Sequence, residues 1–151
     1  MTEIALTSTL GATYEDAVER LLFFHPDQDR SVDGIQHVVA RYGRPKLRIV
    51  QGRIVVEVAS RVQTQTLFVT AGTPEGDTPV GIMVYTREDD AFVVLFVVVH
   101  EAFCREGPRA SERLLQRMVT QLQAIARRVK GVERLVLYLG RKTPVCMRVR
   151  R

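Results

Sequence analysis

The residues of this chain that could do chemistry concentrate between positions 100 and 113. His100 follows a long apolar stretch, and its imidazole could act as a base because the ordinary pKa of histidine lies near neutrality. Cys104 could act as a nucleophile only with a base beside it. Gly107 opens a turn that leads towards a predicted helix carrying Arg109, and such a turn can bind anions through its backbone amides. The alternative for this segment is a solvated strand end and an ordinary helix start.

Two strong elements must position this segment. Residues Phe92 to Val99 are apolar without interruption, which predicts that the strand Ala91 to Val99 is buried on both faces of a sheet. An apolar stripe at helical spacing then predicts a long helix, with Pro108 in an early position and Gly131 at its end. Arg109, in the first turn of that helix, would be the best anion ligand.

The remaining elements are predicted from shorter patterns. A short strand is expected from Ile4 to Thr9, a helix after Thr13, and a second helix from about Ser31 to Tyr42. Alternation on either side of Gln51-Gly52 predicts a hairpin. Further strands are expected at Thr66 to Ala71, Val80 to Tyr85, Leu135 to Leu139 and Val145 to Val149, the last as a basic edge strand.

Composition indicates one ordinary globular domain spanning residues 1–151. Hydrophobic residues make up 46% and charged residues 26% of the 151 positions, and no apolar run is long enough to cross a membrane. The chain has two cysteines without metal-ligand spacing and no export signal, so we expect a soluble cytoplasmic protein with reduced thiols and no bound metal. A net charge of +5 is compatible with a phosphorylated cofactor, an acidic partner or nucleic acid.

Two stretches resemble the GNAT acetyltransferase superfamily. The run TLFVTAGTPEGDTPVGIMVY (Thr66 to Tyr85) is similar to that family's second and third strands. The run VVLFVVVHEAFCREGPRASERLL (Val93 to Leu115) is similar to its fourth strand, the following loop and the start of its third helix. The order of predicted elements agrees as well. The fold class implied is α+β and GNAT-like, with a central, mostly antiparallel mixed sheet flanked by helices.

The resemblance implies an acetyl-CoA site. In the family, strand four splays from strand five, and its open backbone groups hydrogen-bond the pantetheine arm; here that role falls to Val97 and Val99. His100 would lie near the thioester as the base. The residues implied around the pyrophosphate are Arg105, Gly107, Arg109, Ala110 and Ser111.

The chain departs from the family pattern at two points. Neither alignment of the phosphate-binding motif is complete: aligned on Gly107, its first position is Cys104, and aligned on Arg105, its fourth is Pro108, which lacks an N–H donor. The segment after Leu139 leads directly into the last strand, which leaves no room for the family's fourth helix and its tyrosine acid.

Three functions therefore stay open at the level of sequence. The first is transfer of an acetyl group from acetyl-CoA to an amine acceptor. The second is a non-catalytic GNAT-like binding or interaction module, in which the basic last strand pairs with a second copy in a homodimer or with an acidic partner. The third is nucleic-acid binding through the arginines, for which the chain has no reading motif.

Overall fold

The computed structural model of the chain describes residues 4–23, 45–58, 63–73, 76–103, 107–137 and 144–150. Two predictions lie outside these residues: the second helix, expected from Ser31 to Tyr42, and the end of the strand expected to continue to Leu139. Arg105, one of the residues implied at the pyrophosphate, also lies outside them.

The described elements are two α-helices and eight strands. In chain order they are β1 (Ile4–Thr7), α1 (Glu15–Phe23), β2 (Pro45–Val50), β3 (Arg53–Val58), β4 (Thr64–Thr73), β5 (Gly76–Glu88), β6 (Ala91–Val99), α2 (Leu114–Arg127), β7 (Arg134–Leu137) and β8 (Val145–Arg148). Short 3₁₀ turns at Ala12–Tyr14, Glu101–Phe103 and Ala110–Glu112 lead into or follow these elements.

Six strands form one sheet in the order β1-β4-β5-β6-β7-β8. Every described neighbouring pair is antiparallel except β6 and β7, which run parallel because the chain crosses through α2 between them. Strands β2 and β3 form a separate two-stranded sheet. The prediction of an α+β fold with a mostly antiparallel mixed sheet is confirmed.

The central strands are buried on both faces, as the apolar run predicted. On β5, Ile82 and Val84 enter one core with α1 and the β2–β3 hairpin, while Met83 and Tyr85 enter a second core with α2. Side chains alternate between faces because the period of a strand is two residues. The two helices therefore pack on opposite faces of the sheet.

The predicted hairpin is confirmed, and the chain segment between β1 and α1 is hydrogen-bonded to the residues around its turn. Gln51 and Gly52 have positive φ angles of 52° and 74°, as a tight two-residue turn requires. The Ala12 amide donates to the carbonyl of Gly52 at 2.9 Å, and the Ile54 amide donates to that of Leu10 at 2.9 Å. The hairpin thus covers the α1 side of the sheet.

The start of the long helix was predicted wrongly. The helix α2 begins at Leu114, not near Pro108, because residues 110–112 form a 3₁₀ turn and Arg113 has a φ of 50°, outside the helical range. Arg109 therefore lies before the helix and not in its first turn. Arg109, Arg113 and Arg117 consequently do not share one helical face.

Strand β6 contains one extra residue relative to β5. Val84 pairs with Phe96 and Tyr85 pairs with Val94, so that Leu95 forms a bulge. The parallel pairing of β6 with β7 begins at Ala91 and, among the described residues, ends at Val94. The bulge therefore falls directly after the last described residue pair between these two strands.

Gly81 lets α2 approach the sheet closely. A methyl group added there would lie 3.2 Å from the sulfur of Met118 and 3.3 Å from Cβ and Cγ2 of Val69. All three neighbouring atoms belong to buried core residues, and a packed core resists extra volume.

We expect Gly81→Ala to lower the free energy of unfolding by about 1–3 kcal/mol, because Met118 and Val69 must move apart. Urea denaturation followed by circular dichroism measures the change. Gly11→Ala is the matched control, since an added methyl group there lies 3.9 Å from Thr13 Oγ1. The control should be neutral or slightly stabilising. Equal effects of the two substitutions would contradict the packing argument.

Candidate functional site

At the carboxyl end of β6, the backbone N–H and C=O groups of two residues point towards the β7 side of the strand. The His100 amide donates to the carbonyl of Val80 on β5 at 2.7 Å. Hydrogen-bonded and non-hydrogen-bonded pairs alternate along an antiparallel ladder, so Val98 also faces β5. The peptide groups of Val97 and Val99 therefore face the opposite direction, beyond the point where described pairing with β7 ends.

His100 follows β6 directly, and the backbone after it holds its ring. The Ala102 amide donates to His100 Nδ1 at 3.1 Å, and the Phe103 amide donates to the His100 carbonyl at 2.9 Å. A nitrogen that accepts a hydrogen bond carries no proton, so the proton of the neutral ring lies on Nε2. His100 can accept a further proton at Nδ1 only if Ala102 releases it.

Arg109 connects the segment after β6 to the segment before α2. Its amide donates to the Ala102 carbonyl at 2.7 Å, and its guanidinium carbon lies 4.4 Å from the centre of the Phe103 ring. The same guanidinium donates to both carboxylate oxygens of Glu112, with Nη2 to Oε1 at 3.0 Å and a second bond from Nε. A bidentate arginine–carboxylate pair has a defined geometry as well as charge.

The Arg109–Glu112 pair is partly shielded from water, with side-chain exposures of 21% and 29%. The hydrogen bond from Arg109 lowers the pKa of Glu112. Because the folded-state pKa is the lower one, the pair stabilises the fold above the ordinary carboxyl range. That contribution is lost as the pH falls through the lowered pKa.

Four amides between residues 109 and 113, including that of Arg109, donate to carbonyl groups of the protein. The Ala110 amide donates to the Gly107 carbonyl at 3.2 Å, the Glu112 amide to Arg109 at 3.1 Å, and the Arg113 amide to Ala110 at 3.1 Å. These contacts are typical of consecutive 3₁₀ turns. The amides expected to surround a pyrophosphate at Arg109 and Ala110 are therefore already satisfied by carbonyl groups.

The structure brings most of the predicted residues to one end of the sheet. Val97 and Val99 end β6 and His100 follows it, and the bond from the Arg109 amide to the Ala102 carbonyl holds the turn that contains Gly107 and Ala110 against the 3₁₀ turn after β6. Ser111 contributes its backbone to the 3₁₀ turn.

Two members of this site were missed at the level of sequence. Glu112 and Phe103 are the groups that hold Arg109, and only the spacing of three between Arg109 and Glu112 could have indicated the ion pair. The contact with Phe103 depends on how the loop after β6 folds, and no local pattern encodes it.

A separate cleft of about 370 Å³ lies towards the Asp89-Asp90 end of β5, away from the Gly81 end that adjoins the candidate site. Burial raises the pKa of Tyr85 on its wall, and the Tyr85 hydroxyl donates to Gln65 Oε1 at 3.0 Å. The other residues that line it are Gln63, Thr86, Arg87, Glu88 and Phe92.

Comparison with known proteins identifies no family for this chain. No protein-family model matches it, and no curated protein sequence matches it. Among the described residues, no helix is long and apolar enough to span a membrane, and no group of three or more His, Cys, Asp or Glu side chains could hold a metal ion.

We expect Arg109→Gln to raise the pKa of Glu112 towards the ordinary carboxyl range, because the hydrogen bond from Arg109 is the largest cause of its lowering. Carboxyl-detected NMR titration measures this directly. Arg117→Gln is the matched control, since Arg117 acts on Glu112 only through its charge and more weakly. A larger rise with the Arg117 variant than with the Arg109 variant would overturn the assignment.

Proposed function

We propose that the chain is a GNAT-like acyltransferase that moves an acetyl group from acetyl-CoA to an amine. The observation that carries this proposal is the end of β6. The Val97 peptide groups face the β7 side beyond Val94, the last described residue paired with β7. An extended pantetheine arm carries amide groups that can hydrogen-bond to a strand in this way.

The arrangement of elements supports the same proposal. Three antiparallel strands, β4, β5 and β6, lead into α2, and β7 then returns parallel to β6. This is the element order on which the resemblance to the GNAT superfamily rests. The turn before α2 lies beside the end of β6, so a thioester bound along Val97 would have its phosphate end near Gly107 and Arg109.

The proposed reaction is attack of the amine nitrogen on the thioester carbonyl carbon. The carbon–nitrogen bond forms, the carbon–sulfur bond breaks, and the thiolate of CoA leaves and takes a proton from solvent water. The amine proton passes to His100 at Nδ1, which requires that the ring release the Ala102 amide first. His100 is thus a base that must exchange one hydrogen-bond partner during the reaction.

A CoA phosphate at Arg109 would share with Glu112 a guanidinium that has five N–H donors. The phosphate and the Glu112 carboxylate would both accept hydrogen bonds from this guanidinium, and the carboxylate already occupies two of its donors. The roles of Arg105, Gly107, Ala110 and Ser111 at the pyrophosphate stay predictions, since the amide of Ala110 already has an acceptor.

We expect acetyl-CoA to bind the full chain and to shift the backbone amide resonance of Val97 in NMR spectra, while that of Cys146 on the far strand stays in place. Calorimetry supplies the affinity. Glu112→Gln should tighten binding by about three- to tenfold, because it removes the competing charge from Arg109. Absence of binding at millimolar acetyl-CoA would reject the proposal.

We expect His100→Gln to lower kcat for acetyl transfer to a small amine by about 100-fold, because general bases contribute on that order. The binding of acetyl-CoA should change little. Cys146→Ser, on the exposed edge strand that β7 separates from β6, is the control and should keep full activity. An active His100→Gln variant with an unchanged pH profile would remove His100 from the mechanism.

A second candidate is a non-catalytic GNAT-like module that binds or organises other molecules. The satisfied amides of Arg109 and Ala110 and the Arg109–Glu112 pair favour it, because they fill the contacts that a pyrophosphate would need. The homodimer expected from the sequence stays a prediction of this candidate. Failure to bind acetyl-CoA in the assay above would favour it over the enzyme.

A further inference from the structure

We propose that the outer edge of β8 binds an extended peptide segment in which apolar and acidic residues alternate. This inference does not depend on acyl transfer. In the described sheet, β8 pairs with β7 on one side and with no strand on the other. All four of its residues, from Val145 to Arg148, are exposed.

The direction of one amide shows which backbone groups of the edge face outwards. The Val149 amide donates to the Glu133 carbonyl at 2.9 Å, so it points towards β7. Alternation along an antiparallel strand then turns the peptide groups of Cys146 and Arg148 away from β7. The N–H and C=O groups of Cys146 and the amide of Arg148 can pair with an added strand without disturbing the existing ladder.

Gln123 on α2 marks where the open edge ends. Its side-chain nitrogen donates to the Arg148 carbonyl at 2.9 Å, and its oxygen accepts from the Arg150 amide at 3.4 Å. The carboxamide thus occupies the positions that an added strand would take. An incoming segment is limited to the stretch before Arg150, with its central contact at Cys146.

The two faces of β8 have different chemistry. Val145 and Met147 share a face with Leu137 and Leu135, on the α2 side, and are exposed by 38% and 37%. Cys146 and Arg148 lie on the α1 side. Residues opposite each other across a strand pair lie on the same face, so an added strand needs apolar side chains towards α2.

The edge carries positive charge that no described acidic side chain neutralises. Arg148 lies opposite Arg134, whose guanidinium is already paired with Asp90 at 3.0 Å. In the described part of the chain, neither Arg148 nor Arg150 forms an ion pair. An acidic side chain on the α1 side of an added strand would supply the missing charge.

These features favour a peptide over other anionic partners. Nucleic acid would use the arginines but would gain nothing from the strand edge or from exposed Val145 and Met147. A second copy of β8 would bring further positive charge to a positive edge. Strand addition by an acidic-apolar segment uses the open backbone, the apolar face and the arginines together.

The test is fluorescence anisotropy with a labelled eight-residue peptide of alternating valine and glutamate, titrated with the full chain. We expect saturable binding that weakens as salt rises, and no binding of the matched valine–lysine peptide. Arg148→Gln together with Arg150→Gln should weaken binding about fivefold at low salt. Equal binding of the lysine peptide would overturn the proposal.

Cys146→Pro should abolish binding because it removes an outward-facing amide, while Cys146→Ser should bind as the unaltered chain does. If the proline variant does not fold, hydrogen exchange on the unaltered chain decides the question. The peptide should then protect the amides of Cys146 and Arg148 and leave that of Met147, which faces β7, unchanged.

Three further results would count against the peptide. Unchanged exchange at Cys146 and Arg148 in the presence of saturating peptide would exclude strand addition. Sedimentation showing a dimer that Cys146→Pro dissociates would identify a second copy as the occupant of the edge. Tight, salt-dependent binding of a single-stranded oligonucleotide that Cys146→Pro leaves intact would identify a nucleic-acid surface instead.

Discussion

Burial of β5 and β6 on both faces is the constraint on which the rest of the structure depends. Their side chains are apolar in consecutive positions, so neither face of the sheet can be left to water. One face is covered by α1 together with the β2–β3 hairpin, and the other by α2. The close approach of Met118 to Gly81 shows that α2 packs tightly against the sheet.

The same strand that requires this cover also creates the candidate site. Leu95 is an extra residue of β6 with no register partner on β5. The bulge that it forms falls directly after the last described residue pair between β6 and β7. Bulges commonly redirect a strand where function needs open backbone groups. The remainder of β6 then leads through Val97 to His100 at one end of the sheet, and the turn before α2 is bonded to Ala102 just beyond it.

Arg109 determines how that turn is held. Its contacts with Phe103 and Glu112 and its amide bond to Ala102 tie the two sides of the site together. The same contacts occupy groups that a CoA pyrophosphate would use. Under the proposed function, a phosphorylated ligand would contact the same guanidinium that holds the turn, so Glu112 would influence binding as well as the structure of the turn.

The sequence by itself determined the elements with strong periodicity. The apolar run from Ala91 to Val99, the turn at Gln51-Gly52 and the mostly antiparallel α+β architecture were all predictable, because alternation and turn chemistry are local properties. The grouping of His100 with the turn at Gly107 also followed from their closeness in the chain.

Only the tertiary structure decided how the site is built. The late start of α2 at Leu114, the bulge at Leu95 and the pairing of Arg109 with Glu112 over Phe103 were not predicted. The late start of α2 goes with a contact between segments that meet only once the sheet has formed, the bond from the Arg109 amide to the Ala102 carbonyl, and the contact of Arg109 with Phe103 joins the same two segments. Helix propensity near Pro108 does not predict the start of α2 at Leu114. A tertiary hydrogen bond outweighs a local preference of a few tenths of a kcal/mol per residue.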